Sequence, residues 1–384
     1  MGGTRRRILR LIGALACVIG VAACDPAGFG VAGPSTGGRV PVAVLVPAGA
    51  SDPNVAALGQ NLANAAKLAA ADLEGVEIDL RIYDTAGQAD RAGQLAQQAI
   101  DEGASVIIGP LFADGANAAG LVAARAGIPV LSFSNNTAVA GGNVFVLGPT
   151  FDNTANRLLD FARRQGKSSV LVVHGETEAE RAGRDAIVRA AQVHGLTVSA
   201  VTGFAMSQEG VVAAVPGIVQ QAESSGADLL FLTSNTDTAL PIITQLLPEN
   251  GLPPGEIQYA GLTRWDVPAS ALSLPGVQGG WFALPDSGAF TRFASRYSET
   301  YGAAPQAVAG LGYDAVAAVG ALAGAGRRIT AETLVQSRGF AGASGAFRLL
   351  QDGGNQRALS IATIENQIVR IIEQAPASFG GAGL

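Results

Sequence analysis

From Val40 onward, short apolar strands alternate with amphipathic helices, and the alternation breaks near residue 148 and begins again. A strand that reaches a parallel neighbour through a helix crosses over right-handed, so this order selects a doubly wound sheet with helices on both faces. In the first series Val42, Val44 and Val46 alternate in a strand ended by Pro47. Val55, Leu58, Leu62, Ala65, Ala69 and Leu73 then recur every three or four residues, which is one helical face. Ile78, Leu80 and Ile82 form a strand, and Asp90 is placed to cap a helix running through Leu95 and Ile100. Residues 105–108 read as a strand covered on both faces, and a helix near 116–126 leads to a strand at 128–133.

The second series places strands at 170–173, 197–201, 229–233 and 257–260, with helices at 178–194, 211–224 and 240–247 between them. After an apolar run at 281–284, helices at 287–301 and 307–324 are expected to return to the first sheet. A strand at 346–349 and a hairpin of 359–364 with 368–372, turned through Glu365-Asn366-Gln367, complete the pattern. A chain of 384 residues exceeds one hydrophobic core, so two lobes are expected. Residues 40–147 with 285–335 are assigned to lobe 1, residues 148–284 with 336–373 to lobe 2, and 374–384 to a flexible tail. Gly and Ala are abundant while aromatic residues make up 5%, which favours close helix-on-sheet packing.

The N-terminus points to the compartment. Arg5, Arg6, Arg7 and Arg10 precede an apolar run at 11–22, too short to span a bilayer, and the run ends Val21-Ala22-Ala23-Cys24. Small residues before a cysteine resemble a bacterial lipobox, so residues 1–23 are expected to be a signal peptide and Cys24 the lipidated residue. Residues 24–39 read as a Gly/Pro/Ser tether. Cleavage removes four arginines and no acids, taking the formal net charge from −6 to −10. So acidic a body is a poor partner for nucleic acid. With Cys17 removed and Cys24 acylated, no disulfide is available. The expected place is the periplasmic face of a bacterial membrane, inner or outer.

Catalytic and metal-binding groups are sparse. His174 ends a strand and His194 ends a helix; they are the only histidines. The Gly33-Pro34-Ser35-Thr36-Gly37 string precedes a strand and cannot form a nucleophile elbow. Gly310-Leu311-Gly312 lies within a helix and reads as close helix packing. No catalytic, metal or cofactor site is expected. Ligands of open α/β sheets bind outside the carboxyl ends of strands. Those ends supply the candidate cleft residues: Pro110, Leu111 and Phe112; Ser132, Ser134, Asn135 and Asn136; His174; Ser234, Asn235 and Thr236; Thr263, Arg264 and Trp265. Hydroxyls and amides beside a few apolar walls suit a small polar ligand, though such residues also form turns.

From residue 40 to 372 the chain resembles the type I periplasmic-binding family that includes the leucine/isoleucine/valine receptors. VAVLVPAGA at 42–50, Tyr83-Asp84-Thr85, IIGPL at 107–111, IPVLSFS at 128–134 and LGYDAV at 311–316 carry the likeness. Within it the chain is similar to the penicillin-binding-protein activator lipoproteins, through Gly109-Pro110-Leu111, VFVLGPTFDNTA at 144–155, Thr263-Arg264-Trp265-Asp266 and Gln278-Gly279-Gly280-Trp281-Phe282. The resemblance implies a two-lobed α/β fold, each lobe a doubly wound, mainly parallel sheet flanked by helices.

It also implies differences at the site. Amino-acid receptors of the family clamp the ligand's ammonium with an acid in the loop that here reads Gly261-Leu262-Thr263-Arg264. Their closing tyrosines fall near Ala179 and near Asn235–Thr236, where this chain has none. A Ser-rich clamp is replaced by Leu111-Phe112-Ala113-Asp114, and Asp114 alone is left to meet an ammonium there. Arg264 suits an anion or a protein carboxylate. The expected function is a non-enzymatic activator of peptidoglycan synthesis that contacts a penicillin-binding protein. The alternative is the substrate-binding lipoprotein of an ABC importer, working with a permease on amino acids or another small polar or anionic ligand.

Overall fold

Valine, isoleucine and leucine fill the predicted strands so densely that both faces of each central strand must be covered. The computed structural model describes residues 39–380 and shows this directly: in β1 (Val40–Val46), Val42, Val44 and Val46 enter one core while Ala43 and Leu45 enter another across the sheet. β2 (Ile78–Asp84), β3 (Val106–Ile108), β4 (Val130–Ser132) and β5 (Val144–Val146) join it in a parallel sheet ordered β2-β1-β3-β4-β5. Helices α1 (Pro53–Asp72), α2 (Ala89–Asp101) and α3 (Ala113–Arg125) make the crossovers. Asp90 does not cap α2. The cap position is Gln88, without a side-chain hydrogen bond, and Asp90 sits in the first turn, where a negative charge still favours the helix dipole.

The chain then leaves through α4 (Phe151–Arg164) to a second sheet. β6 (Ser169–Gly175), α5 (Glu178–His194), β7 (Thr197–Phe204), α6 (Gln208–Ser225), β8 (Leu229–Leu232), α7 (Leu240–Glu249), β9 (Gln258–Gly261) and β10 (Trp281–Pro285) follow in order. α8 (Ser287–Tyr301) and α9 (Ala309–Gly324) return to pack on α1. The approach of α9 to α1 is close enough that a Cβ on Gly312 would overlap the Leu62 carbonyl oxygen. After the short α10 (Ala331–Leu334) come β11 (Phe340–Gly342), β12 (Gly345–Leu349) and β13 (Asn355–Arg357), a small antiparallel sheet. β14 (Leu359–Glu365) and β15 (Ile368–Glu373) form the expected hairpin and finish the second sheet, ordered β15-β14-β10-β9-β8-β6-β7.

Two expectations about segment placement are corrected. Residues 336–373 were expected to belong together with lobe 2, but Phe340, Phe347 and Leu349 pack into the first sheet's core beside α9. Their apolar side chains are covered there by α9 and the residues of the first sheet, with β11 lying against α9. The tail is also not wholly free. Phe379 is buried against Ala346 and Ala358, with the Arg348 guanidinium 4.9 Å from its ring centre. The signal segment, Cys24 and the tether up to residue 38 lie outside the described residues, as do 381–384. Among the described residues no helix is long and apolar enough to cross a membrane.

Candidate functional site

The order of each sheet fixes where a ligand can approach. In the first sheet the chain steps from β2 across β1 to β3, and in the second from β7 across β6 to β8. The loops leaving β1 and β3, and those leaving β6 and β8, therefore diverge at a topological switch point, where the carboxyl ends open a crevice.

At the first switch point the loops are tied by their own polar groups. Asp84, which ends β2, accepts N–H bonds from Gly49 (2.8 Å) and Ala86 (2.9 Å), and a Cβ on Gly49 would overlap its carboxylate. Ser132 donates to the Pro110 carbonyl at 2.9 Å and accepts from the Ser134 N–H at 3.1 Å. The Ser134 hydroxyl accepts from the Asn136 N–H, and the Asn136 side chain accepts from the Ala138 N–H. Pro110, Ser132 and Ser134 are buried and hold the loops in shape. Leu111 is half-buried. Phe112 and Asn135 are exposed, and no side-chain hydrogen bond engages Asn135 within the protein.

The second switch point carries a residue that sequence inspection missed. Glu180 is 8% exposed, yet it is a carboxylate. Its Oε2 accepts from the Gly175 N–H (2.9 Å), from the Thr233 hydroxyl, and from the Ser234 hydroxyl at 3.2 Å, so it joins the ends of β6 and β8. The signal was present as Thr177-x-x-Glu180. Thr177 does cap α5 by accepting the Glu180 N–H, but the acid reaches Gly175 instead of folding back on the cap. Thr263 donates to the Ser234 carbonyl, Thr236 to the Val267 carbonyl, and the Asn235 side chain accepts from the Asp237 N–H.

Three candidates take other roles. Trp265 is fully buried, stacked 6.5 Å from Phe282 and seated where Gly261 and Gly280 leave room, so it is a core residue and not a cleft wall. Arg264 is exposed and already paired with Asp266, Nε to Oδ1 at 2.8 Å, so its charge is met before any anion arrives. His174 is buried at the end of β6, its Nδ1 2.8 Å from the Gly175 carbonyl, instead of standing on an open rim. His194, closing α5, lies 3.2 Å from Asn156 Oδ1. Burial holds its pKa below the ordinary value, against the pull of Asp160.

Among the described residues no hydrogen bond or ion pair joins the loops of the first switch point to those of the second. Two cavities lie elsewhere. One of about 240 Å³ is lined by Asp72, Arg292, Arg296 and Tyr313, and one of about 380 Å³ by Thr150, Asp152, Arg189, Asp352 and Asn355. Neither includes a candidate loop residue.

Solved structures share this fold. A putative branched-chain amino acid ABC transporter protein from Rhodospirillum rubrum superposes with a TM-score of 0.72 at 19% identity, covering 87% of this chain and all of its own. An ABC transporter substrate-binding protein from Desulfitobacterium hafniense, in complex with Leu, gives 0.59 at 17%, covering 87% of this chain and 100% of its own. A solute-binding protein from Rhodopseudomonas palustris BisB5, in complex with 3,4-dihydroxy benzoic acid, gives 0.55 at 18%, covering 90% and 99%. At these identities the likeness shows the fold, two-lobed and of mixed α/β type. No curated protein matches the sequence. The profile of the family described as periplasmic binding protein matches residues 39–367, nearly the whole described chain, and the chain belongs to that family.

Proposed function

We propose that this chain is the ligand-binding component of an ABC importer, held outside the cytoplasm by a lipid on Cys24. One observation carries it: both sheets end in loops at a switch point, and each set is fixed by internal hydrogen bonds while polar groups such as the Asn135 amide remain unengaged. A rigid frame with spare polar groups is what a small-ligand cleft needs. That similar structures are ABC transporter solute-binding proteins supports this over the synthase activator expected from sequence. The ligand would be bound between lobes that close about the crossover segments at 147–150, 285–287 and 357–359.

The test is a thermal-shift panel of amino acids, aromatic carboxylates, amines and cell-wall fragments. A ligand at about a hundred times its dissociation constant stabilises by roughly 2.7 kcal/mol and raises the unfolding midpoint. A flat panel, with retention of the protein on an immobilised bifunctional synthase, would replace the importer with the activator. The anchor is tested separately, since Cys24→Ala should abolish acyl labelling.

A further inference from the structure

A carboxylate taken out of water normally brings a cation with it, because an isolated buried charge is expensive. The other buried acid obeys this, since Asp314 faces Arg357, and the largely buried Arg157 side chain likewise faces Glu373. Glu180 does not. It is more than nine-tenths buried, and among the described residues no arginine, lysine or histidine pairs with it. The two arginines nearest in sequence are directed away, Arg181 to the Glu176 carbonyl and Arg184 to Asp185.

What holds Glu180 acts on one oxygen only. Oε2 takes all three donors, from Gly175, Thr233 and Ser234. Oε1 has no partner in the protein and still is not among the atoms sealed from solvent. The carboxylate is thus oriented by one oxygen and offers the other, at the switch point between β6 and β8, where a ligand would sit. Three neutral donors keep the charge in place without neutralising it. The other charged candidate, Arg264, lies exposed at the loop surface and is paired with Asp266, so it lacks the burial of Glu180. Asp114, the acid left over by the sequence comparison, is exposed in the first turn of α3 and gains nothing from burial.

We infer that Glu180 is the specificity-determining residue of the cleft, and that it selects ligands carrying an ammonium or guanidinium group, received on Oε1. This rests on the ligand-binding function proposed above and narrows it to amines, guanidines and zwitterions, excluding ligands whose only charge is a carboxylate. A charge-assisted hydrogen bond of this kind is worth about 10- to 100-fold in affinity.

The test is calorimetric titration of the detergent-solubilised full chain with four probes: agmatine, L-leucine, 4-methylpentanoate (leucine without its ammonium) and benzoate. The expected result is binding of agmatine or leucine, with neither carboxylate-only probe bound. Glu180→Gln keeps the acceptor on Oε2 and should lose about 10- to 100-fold in affinity without a lower unfolding midpoint. Glu180→Asp, which keeps the charge, should retain the preference for cationic probes even if weaker. Binding of 4-methylpentanoate or benzoate as tightly as an ammonium-bearing probe would overturn the inference and leave the ligand-binding function standing. Equal affinity of wild type and Glu180→Gln for the bound probe would do the same. Should wild type bind none of the four, both the inference and the function beneath it fail on this panel.

Discussion

Arg357 Nη1 lies 2.8 Å from Asp314 Oδ2, with neither side chain more than 8% exposed, and the contact ties β13 to α9. The same guanidinium spends Nε and Nη2 on the Leu147 carbonyl, at 3.1 and 2.6 Å, and lies 5.3 Å from the centre of the Phe347 ring. Beside it Asn355 donates to the Val146 and Gly148 carbonyls, and Asn153 bridges Asn355 and the Arg357 N–H. The first and third crossover segments between the sheets are therefore stitched by one buried polar network. Burial pushes the Asp314 carboxyl up, and Arg357 and the Ala343 N–H oppose that.

Breaking that pair leaves a buried charge without compensation. Asp314→Ala should destabilise by about 3–5 kcal/mol, while Asp314→Leu with Arg357→Met, which removes both charges, should recover much of the loss. Urea unfolding of the three proteins measures both effects. A loss near zero for Asp314→Ala would mean that solvent reaches Arg357.

Gly312 is required by proximity, since its φ is unexceptional and a Cβ there would overlap the Leu62 carbonyl oxygen. Gly312→Ala should cost about 1–3 kcal/mol through separation of α1 from α9, although alanine is the better helix former. A stabilised Gly312→Ala protein would show that the two helices have slack.

Adjacent residues of one loop should behave oppositely. Trp265→Ala empties a core position and should cost about 3–5 kcal/mol, whereas Arg264→Ala removes an exposed pair worth about 0–1 kcal/mol. Unfolding midpoints of both variants decide whether Trp265 belongs to the core or to the ligand.

The acid limit of stability should carry a contribution from Glu373. Hydrogen bonds from Arg164, and then the charge and bond of Arg157, hold its carboxyl below the ordinary 4.5, with burial opposing. A depressed folded pKa gives stability that is fully present above the unfolded value and is lost as pH falls through the folded one. Between about pH 5 and 3 the wild-type midpoint should therefore fall more steeply than that of Glu373→Gln. Parallel curves would remove Glu373 from the acid response.

Much of the fold is legible because strand and helix periods are local properties. The valines of β1, the three-and-four spacing of α1 and the β14–β15 hairpin all form where their apolar patterns place them. The site was less legible. The switch-point loops follow from strand order, but the roles of Ser132, Ser134, Arg264 and Trp265 depend on what stands opposite, which spacing does not encode. Glu180 resembles an ordinary capping acid in sequence and becomes a buried, cation-free carboxylate only when β8 brings Thr233 and Ser234 beside it.

The sequence by itself determined the two βαβ series and the family, because these rest on hydrophobic period and on motifs within short stretches of chain. Tertiary structure decided the rest: that β11–β13 join the first core, that Phe379 is held, and which charges meet. An ion pair such as Asp314–Arg357, 43 residues apart in the chain, is set by which segments share a low-dielectric space, and only the folded chain fixes that.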